Sequence, residues 1–177
     1  MIPRSVPALV ETAHHEAAHA VAHMAHGYGF DYVTIVKDDS LHSTATGMVV
    51  GVPPITYYHE IMIATFAGPL AEAYVNWSHD VGGSLTTALD DPDFAPYERR
   101  ARTWNLAGDT LQLEGAISEY RKEEKDLTRD EAIKWVRAAT ANVLEKRWCD
   151  VTALAGGLLA APNGRLTFEQ CWEVLGV

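Results

Sequence analysis

The sequence predicts a mainly helical α+β domain with one small β-sheet. Good helix formers dominate residues 6–26, and a glycine pair brackets the tyrosine that follows this segment. Two short runs rich in β-branched residues, FDYVTIVKD at 30–38 and GMVVGV at 47–52, predict two strands. The segments TRDE and TFEQ later in the chain have the spacing of capping boxes, which predicts two further helices. Few strands among many helices indicate the α+β class.

The middle of the chain is assigned from its breakers and caps. Residues 55–77 form a long apolar run that predicts a buried helix, and Pro69 within it can kink or break that helix. The composition of residues 78–91 predicts a loop. A proline in the first turn predicts a helix over residues 92–106, with Asp91 as its N-cap.

The C-terminal part is predicted to contain a helix over residues 128–147 and a last short helix that starts after residue 167. The region between them contains turn signals, namely Gly156, Gly157 and the PNGR turn at 162–165. Because no repeat or linker divides the chain, residues 1–177 are predicted to form a single domain.

Composition excludes several function classes. The chain has 177 residues, 47% of them hydrophobic, which is enough for a core without disulfides. The formal net charge of -10 argues against nucleic acid and anionic membranes as partners. Cys149 and Cys171 form no CxxC pair, so we expect free thiols. No export signal and no apolar run of membrane-spanning length is visible, and we expect a cytoplasmic protein.

The segment HHEAAHA at 14–20 contains an HExxH motif. Residues four apart lie on one face of a helix, so His15 and His19 can direct their imidazoles at one metal ion. Glu16 lies at the edge of that face and is placed as a general base. Zinc lowers the pKa of a bound water to roughly 7, and a neighbouring carboxylate can accept the proton during attack on a peptide carbonyl. The motif therefore predicts metal-assisted amide hydrolysis.

The alternative interpretation is a chance HExxH in a chain with eight histidines. The alanines and valine around the motif favour the metal site, because they predict a buried helix in which unpaired imidazoles are costly. The metzincin pattern is absent, since Ala22 and Ala25 stand where it needs glycine and histidine. His14 and His23 are interpreted as structural or solvated residues.

A third ligand must come from elsewhere in the chain, and the residues alone leave two sources open. Glu72 on the second long helix could complete the site as a carboxylate does in gluzincins. The acidic cluster of Asp90, Asp91 and Asp93 is the other source, although a helix start also favours carboxylates.

The order of these motifs resembles the zinc peptidase domain of FtsH-type membrane AAA proteases, standing alone without the ATPase. The similarity rests on HHEAAHA, YVTIV, GMVVGVP, FAGPLAE, an acidic helix start and the C-terminal VTALAGGLL and GRLTFEQCWEVL, and so covers nearly the whole chain. HHEAAHA and FAGPLAE are its individually specific parts.

The resemblance implies zinc as cofactor, His15 and His19 as ligands and Glu16 as the catalytic glutamate. It also implies Asp93 as the third ligand, because Ala-Arg follows eight and nine positions later, with Asp91 as the second choice. Glu72 matches a glutamate that orients a zinc histidine. The YVTIV strand matches an edge strand on which an extended substrate pairs through its backbone.

Two departures from that family shape the predicted function. Ala18 replaces the glycine of its HEAGHA motif, and the chain contains no GxxxxGK[ST] phosphate loop. We therefore predict an ATP-independent zinc endopeptidase acting on peptides or unfolded proteins. The family's hexameric assembly does not carry over without the ATPase ring, and self-association stays open. The alternatives are a catalytically idle zinc-binding module that binds a peptide or partner and a purely structural helical domain.

Overall fold

The computed structural model describes residues 6–36, 47–104, 108–124 and 126–176. Within them, helices and short strands follow the order α1 Ala8–Ala25, β1 Tyr32–Thr34, β2 Met48–Val50, α2 Tyr58–Asp80, α3 Leu85–Asp90, α4 Ala95–Trp104, α5 Asp109–Glu123, α6 Arg129–Lys146, α7 Trp148–Ala160, β3 Arg165–Thr167 and α8 Phe168–Leu175. The predicted α+β class, mainly helical with a small sheet, is confirmed.

The long apolar helix α2 is the centre of the fold. It packs against α1, α4, α5 and α6, while α1 also packs against α7. Phe66, Met62 and Leu70 are among its fully buried side chains. The helix runs through Pro69 without a break. A central helix that touches several others can bring residues from distant parts of the sequence to one point.

The sheet has the strand order β2-β1-β3, and both pairings are antiparallel. Val33 pairs with Val49 on one side and with Leu166 on the other. The expectation that YVTIV forms an edge strand is therefore wrong, because β1 is the central strand. The third strand begins at Arg165, the last residue of the predicted PNGR turn, where the sequence predicts no strand.

Several other boundaries differ from the sequence prediction. The segment assigned as a loop contains α3, which Ser84 caps by accepting a hydrogen bond from the backbone N–H of Thr87 at 3.2 Å. Helix α4 begins at Ala95 rather than at residue 92, since Asp91 Oδ1 instead accepts from the N–H of Asp93 at 2.8 Å and closes a turn. The predicted end of that helix at residue 106 lies outside the described residues.

The C-terminal half combines confirmed and corrected predictions. Helices α6 and α8 begin at the predicted capping boxes of Thr128 and Thr167, with both reciprocal hydrogen bonds formed in each. Gly156 and Gly157 lie inside α7 and do not interrupt it. Helix α5 was not predicted, and it contributes a residue that decides the chemistry of the site.

Candidate metal centre

Helix α1 places the two motif histidines side by side in the interior. His15 and His19 are 6% and 8% exposed, and their ring centroids are 4.8 Å apart. Their Nε2 atoms face each other at 3.1 Å. The spacing of one helical turn produces this arrangement, as the sequence predicts.

The first residue of α5, Asp109, meets both imidazoles. Its Oδ2 atom lies 3.0 Å from His15 Nε2 and 3.4 Å from His19 Nε2. Among the residues that the structure describes, these three form the one group of histidine, cysteine and acidic side chains whose donor atoms all lie within 4.8 Å of one another. Zinc bound at about 2.0–2.2 Å from each ligand in a tetrahedron separates ligand atoms by roughly 3.3–3.5 Å. The spacing of the three atoms therefore fits a zinc ion.

The outer nitrogens of both rings are held by acceptors. Glu72 Oε2 lies 3.2 Å from His15 Nδ1, and the Ala64 carbonyl oxygen lies 2.7 Å from His19 Nδ1. Each ring therefore donates its Nδ1–H outward, which leaves an Nε2 lone pair directed at the centre. This contact matches the orienting role that the resemblance implies for Glu72. Two lone pairs facing each other at 3.1 Å repel unless a proton or a metal ion lies between them.

The backbone of α2 passes very close to the two imidazoles at Gly68. A Cβ atom built on Gly68 would lie 2.3 Å from His19 Nε2 and 2.6 Å from His15 Nε2. Any side chain at this position would therefore fill the space where the three donors converge. The glycine of FAGPLAE keeps that space open for an ion.

Glu16 lies next to this group and is 6% exposed. A Cβ atom built on Gly47, just before β2, would lie 2.7 Å from Glu16 Oε1. Strand β2, which pairs on one side only within the described part of the chain, therefore begins directly against the predicted base. Burial raises the pKa of the Glu16 carboxyl, although the neighbouring His15 and His19 oppose this shift.

The two histidines and Asp109 shift one another's pKa values. Burial alone lowers the pKa of His15, but its hydrogen bonds to Asp109 and Glu72 and nearby negative charges outweigh burial and raise that pKa to about 10. Burial also opposes the charged form of His19, but the charge and hydrogen bond of Asp109, together with the charge of Glu16, outweigh burial and raise the His19 pKa. Burial opposes ionisation of Asp109, yet the two histidines hold the pKa of its carboxyl well below its usual range. In the absence of metal, these shifts favour protonated imidazoles beside an ionised Asp109, so the point where the three donors meet favours positive charge.

The sequence prediction of the third ligand needs correction. Asp93 is exposed in the turn before α4 and is not part of the group that contains the two histidines, and Asp91 lies in the same turn. Glu72 contacts the outer nitrogen of His15, so it orients that imidazole. Asp109 takes the position that the resemblance assigned to Asp93, an aspartate at a helix N-terminus, but on the following helix. Gly108-Asp109 preceding a helical stretch is the local signal that could have suggested it.

The remaining histidines of α1 lie outside this group. His14 donates a hydrogen bond from Nδ1 to the Val10 carbonyl oxygen at 2.8 Å and stacks on Trp148, with ring centroids 6.1 Å apart. This agrees with its interpretation as a structural residue. His23 lies further along the same helix, and its Nδ1 atom is buried without a hydrogen-bond partner.

Comparison with known proteins adds no assignment. No model of a protein family and no curated protein matches this chain. The described helices include none that combines the length and apolar character needed to cross a bilayer. The resemblance to FtsH-type peptidases therefore rests on the quoted motifs.

Proposed function

We propose that this protein is a zinc-dependent endopeptidase. The observation that carries the proposal is the convergence of His15 Nε2, His19 Nε2 and Asp109 Oδ2 within 3.4 Å of one another, next to a buried Glu16. Two histidines and one carboxylate are a ligand set of catalytic zinc sites, which keep a further position for water or substrate. The order of motifs shared with FtsH-type peptidase domains supports the same proposal.

Each side chain has a separate role in this proposal. His15, His19 and Asp109 hold the zinc ion, and Glu72 and the Ala64 carbonyl orient the two imidazoles. When bound, zinc supplies a Lewis acid that polarises a carbonyl and makes water acidic near neutral pH. Glu16 accepts the proton from the attacking water and delivers it to the leaving amine. A carboxyl whose pKa is raised by burial is suited to both steps.

An extended polypeptide is the substrate class that the proposal favours. Among the described residues, strand β2 lies at an edge of the sheet, and its first end lies against Glu16. Backbone pairing along β2 would carry a peptide past the proposed base. This replaces the earlier expectation for β1, whose two sides are already paired. Because the chain has no phosphate loop, we expect cleavage of unfolded chains without ATP. Its cytoplasmic location remains a sequence prediction.

Cleavage of a generic unfolded protein by the zinc-loaded chain, in the absence of ATP, tests the proposal. We expect a chelator to abolish cleavage and added zinc to restore it. Cleavage that continues after the metal has been removed and its absence verified would contradict the proposal. Binding of the unfolded protein without any cleavage by the zinc-loaded form would favour the idle binding module.

A further inference from the structure

A second cluster of imidazoles surrounds Glu60 at the far end of α1. His26 follows the last residue of α1, whereas His59 and Glu60 lie in the first turn of α2. The side chains of His26 and Glu60 are 19% and 17% exposed, and that of His59 is 44% exposed. The cluster thus opens from the interior towards solvent. His19 and His26 are seven residues apart on the helix, which separates the cluster from the first site by about 10 Å.

The two oxygens of the Glu60 carboxylate have different contacts. Its Oε2 atom accepts a hydrogen bond from the Tyr28 hydroxyl at 2.5 Å, which fixes the orientation of the carboxylate. Its Oε1 atom lies 3.7 Å from His26 Nδ1 and 4.0 Å from His59 Nε2. Both distances exceed those of a hydrogen bond. Glu60 therefore presents one oxygen to two imidazoles without bonding to either.

The two distances from Glu60 Oε1 are somewhat longer than the spacing of two ligands on one metal ion. Two ligands of one tetrahedral zinc ion are roughly 3.3–3.5 Å apart, so each nitrogen needs only a small approach to Glu60 Oε1. The cluster is wider than the group formed by Asp109 and the motif histidines, which alone meets the tighter spacing among the described residues. His59 is half exposed at the start of α2 and is the ligand best placed to make this approach.

Two imidazoles of this region also lack hydrogen-bond partners for ring nitrogens. His26 Nε2 and His23 Nδ1 are buried and have no hydrogen-bond partner. Since Nδ1 of His26 is 3.7 Å from its nearest carboxylate oxygen, neither nitrogen of that ring is hydrogen-bonded within the described structure. Burial lowers the pKa of His26, and neutral imidazole is the form that binds a metal ion.

We propose that His26, His59 and Glu60 bind a second divalent transition-metal ion, with water completing its coordination. Imidazole and carboxylate are ligands shared by zinc, cobalt and nickel sites. The second site is weaker than the first, because binding must draw in a half-exposed side chain and because solvent reaches it. It does not depend on peptidase activity, so a failure of either proposal leaves the other intact.

Titration of the metal-free protein with cobalt(II), followed by visible absorption, tests this site. We expect two cobalt ions per chain, the second bound more weakly. Glu60→Gln retains an acceptor for the Tyr28 hydroxyl but loses the charged carboxylate. His59→Asn removes the half-exposed imidazole. Each variant should bind one ion only. In Asp109→Asn the weaker ion should remain while the tighter one is lost.

The matched control is His79→Asn. His79 is 60% exposed and its Nδ1 lies 3.2 Å from the Asp80 carboxylate, so it represents an ordinary surface histidine beside an acid. This variant should still bind two ions. A single equivalent in the natural chain that Glu60→Gln and His59→Asn both retain, or two equivalents in both variants, would overturn the proposal.

Discussion

At the scale of single residues, Asp109 is the side chain on which metal binding should depend most visibly. Its Oδ2 atom contacts both motif histidines, whereas Asp93 is exposed in a turn. Asp109→Asn should weaken zinc binding by at least about 10- to 100-fold, the range seen even for outer partners of zinc ligands. Competition with a chromophoric chelator measures this affinity.

The matched control for that variant is Asp93→Asn, which should bind zinc as tightly as the natural chain. The reverse pattern, with affinity lost in Asp93→Asn and retained in Asp109→Asn, would restore the ligand predicted from the sequence.

His23 gives a pH dependence of stability at the same scale. Burial, together with the nearby His19 and His26, lowers the pKa of His23 to about 4 from the usual 6.5. Between these values the unfolded chain binds a proton that the folded chain does not, so the unfolding free energy falls as pH decreases from about 6.5 to about 4. His23→Gln should lose less stability between pH 7 and pH 5. Urea unfolding of both metal-free proteins at the two pH values tests this, and equal losses would contradict it.

At the scale of secondary-structure elements, the close approach of α2 to α1 at Gly68 predicts that a side chain there interferes with zinc binding. Gly68→Ala puts a methyl group within 2.6 Å of both Nε2 atoms, so it should abolish zinc binding and destabilise the metal-free fold by about 1–3 kcal/mol. Gly156→Ala is the control, because nothing lies within 4 Å of its new methyl group. That helical variant should be more stable by about 0.5–1 kcal/mol. Zinc affinity and urea unfolding are the readouts, and zinc binding retained in Gly68→Ala would count against the proposed centre.

The elements that the sequence predicts well are those with their own start signals. Helices α6 and α8 begin at capping boxes, and α1 consists of a long run of helix formers. Helix α5 has only the weaker start signal of Gly108-Asp109, and no side chain caps it. Strand β3 has three residues and owes its conformation to pairing with β1. Local patterns cannot reveal an element that long-range contacts stabilise.

At the scale of the whole molecule, the candidate centre joins distant parts of the chain. His15 and His19 could be predicted because one helical turn connects them, and their geometry follows from local structure alone. Asp109 is 94 residues away from His15 in sequence. The packing of α2 between α1 and α5 brings it into contact. The position of the third donor is thus a property of tertiary packing.

Metal removal should lower the stability of the whole molecule, because the proposed zinc ion would bind the folded chain at residues from α1 and α5. With free zinc at about 1,000 times its Kd, binding adds about 4 kcal/mol. For a chain of this size, that corresponds to a Tm higher by roughly 8–16 °C. Thermal unfolding with zinc and with chelator measures the shift. Asp109→Asn should show a much smaller difference, and an equal Tm for the two forms of the natural chain would contradict a zinc site that couples these helices.

The most direct test of the central claim compares the natural chain with Glu16→Gln, both loaded with zinc, in cleavage of an unfolded protein without ATP. Glu119→Gln, which changes a half-exposed side chain on α5, serves as the control. We predict that Glu16→Gln retains its zinc and loses cleavage, while Glu119→Gln cleaves as the natural chain does. Cleavage by zinc-loaded Glu16→Gln at the natural rate would contradict the account.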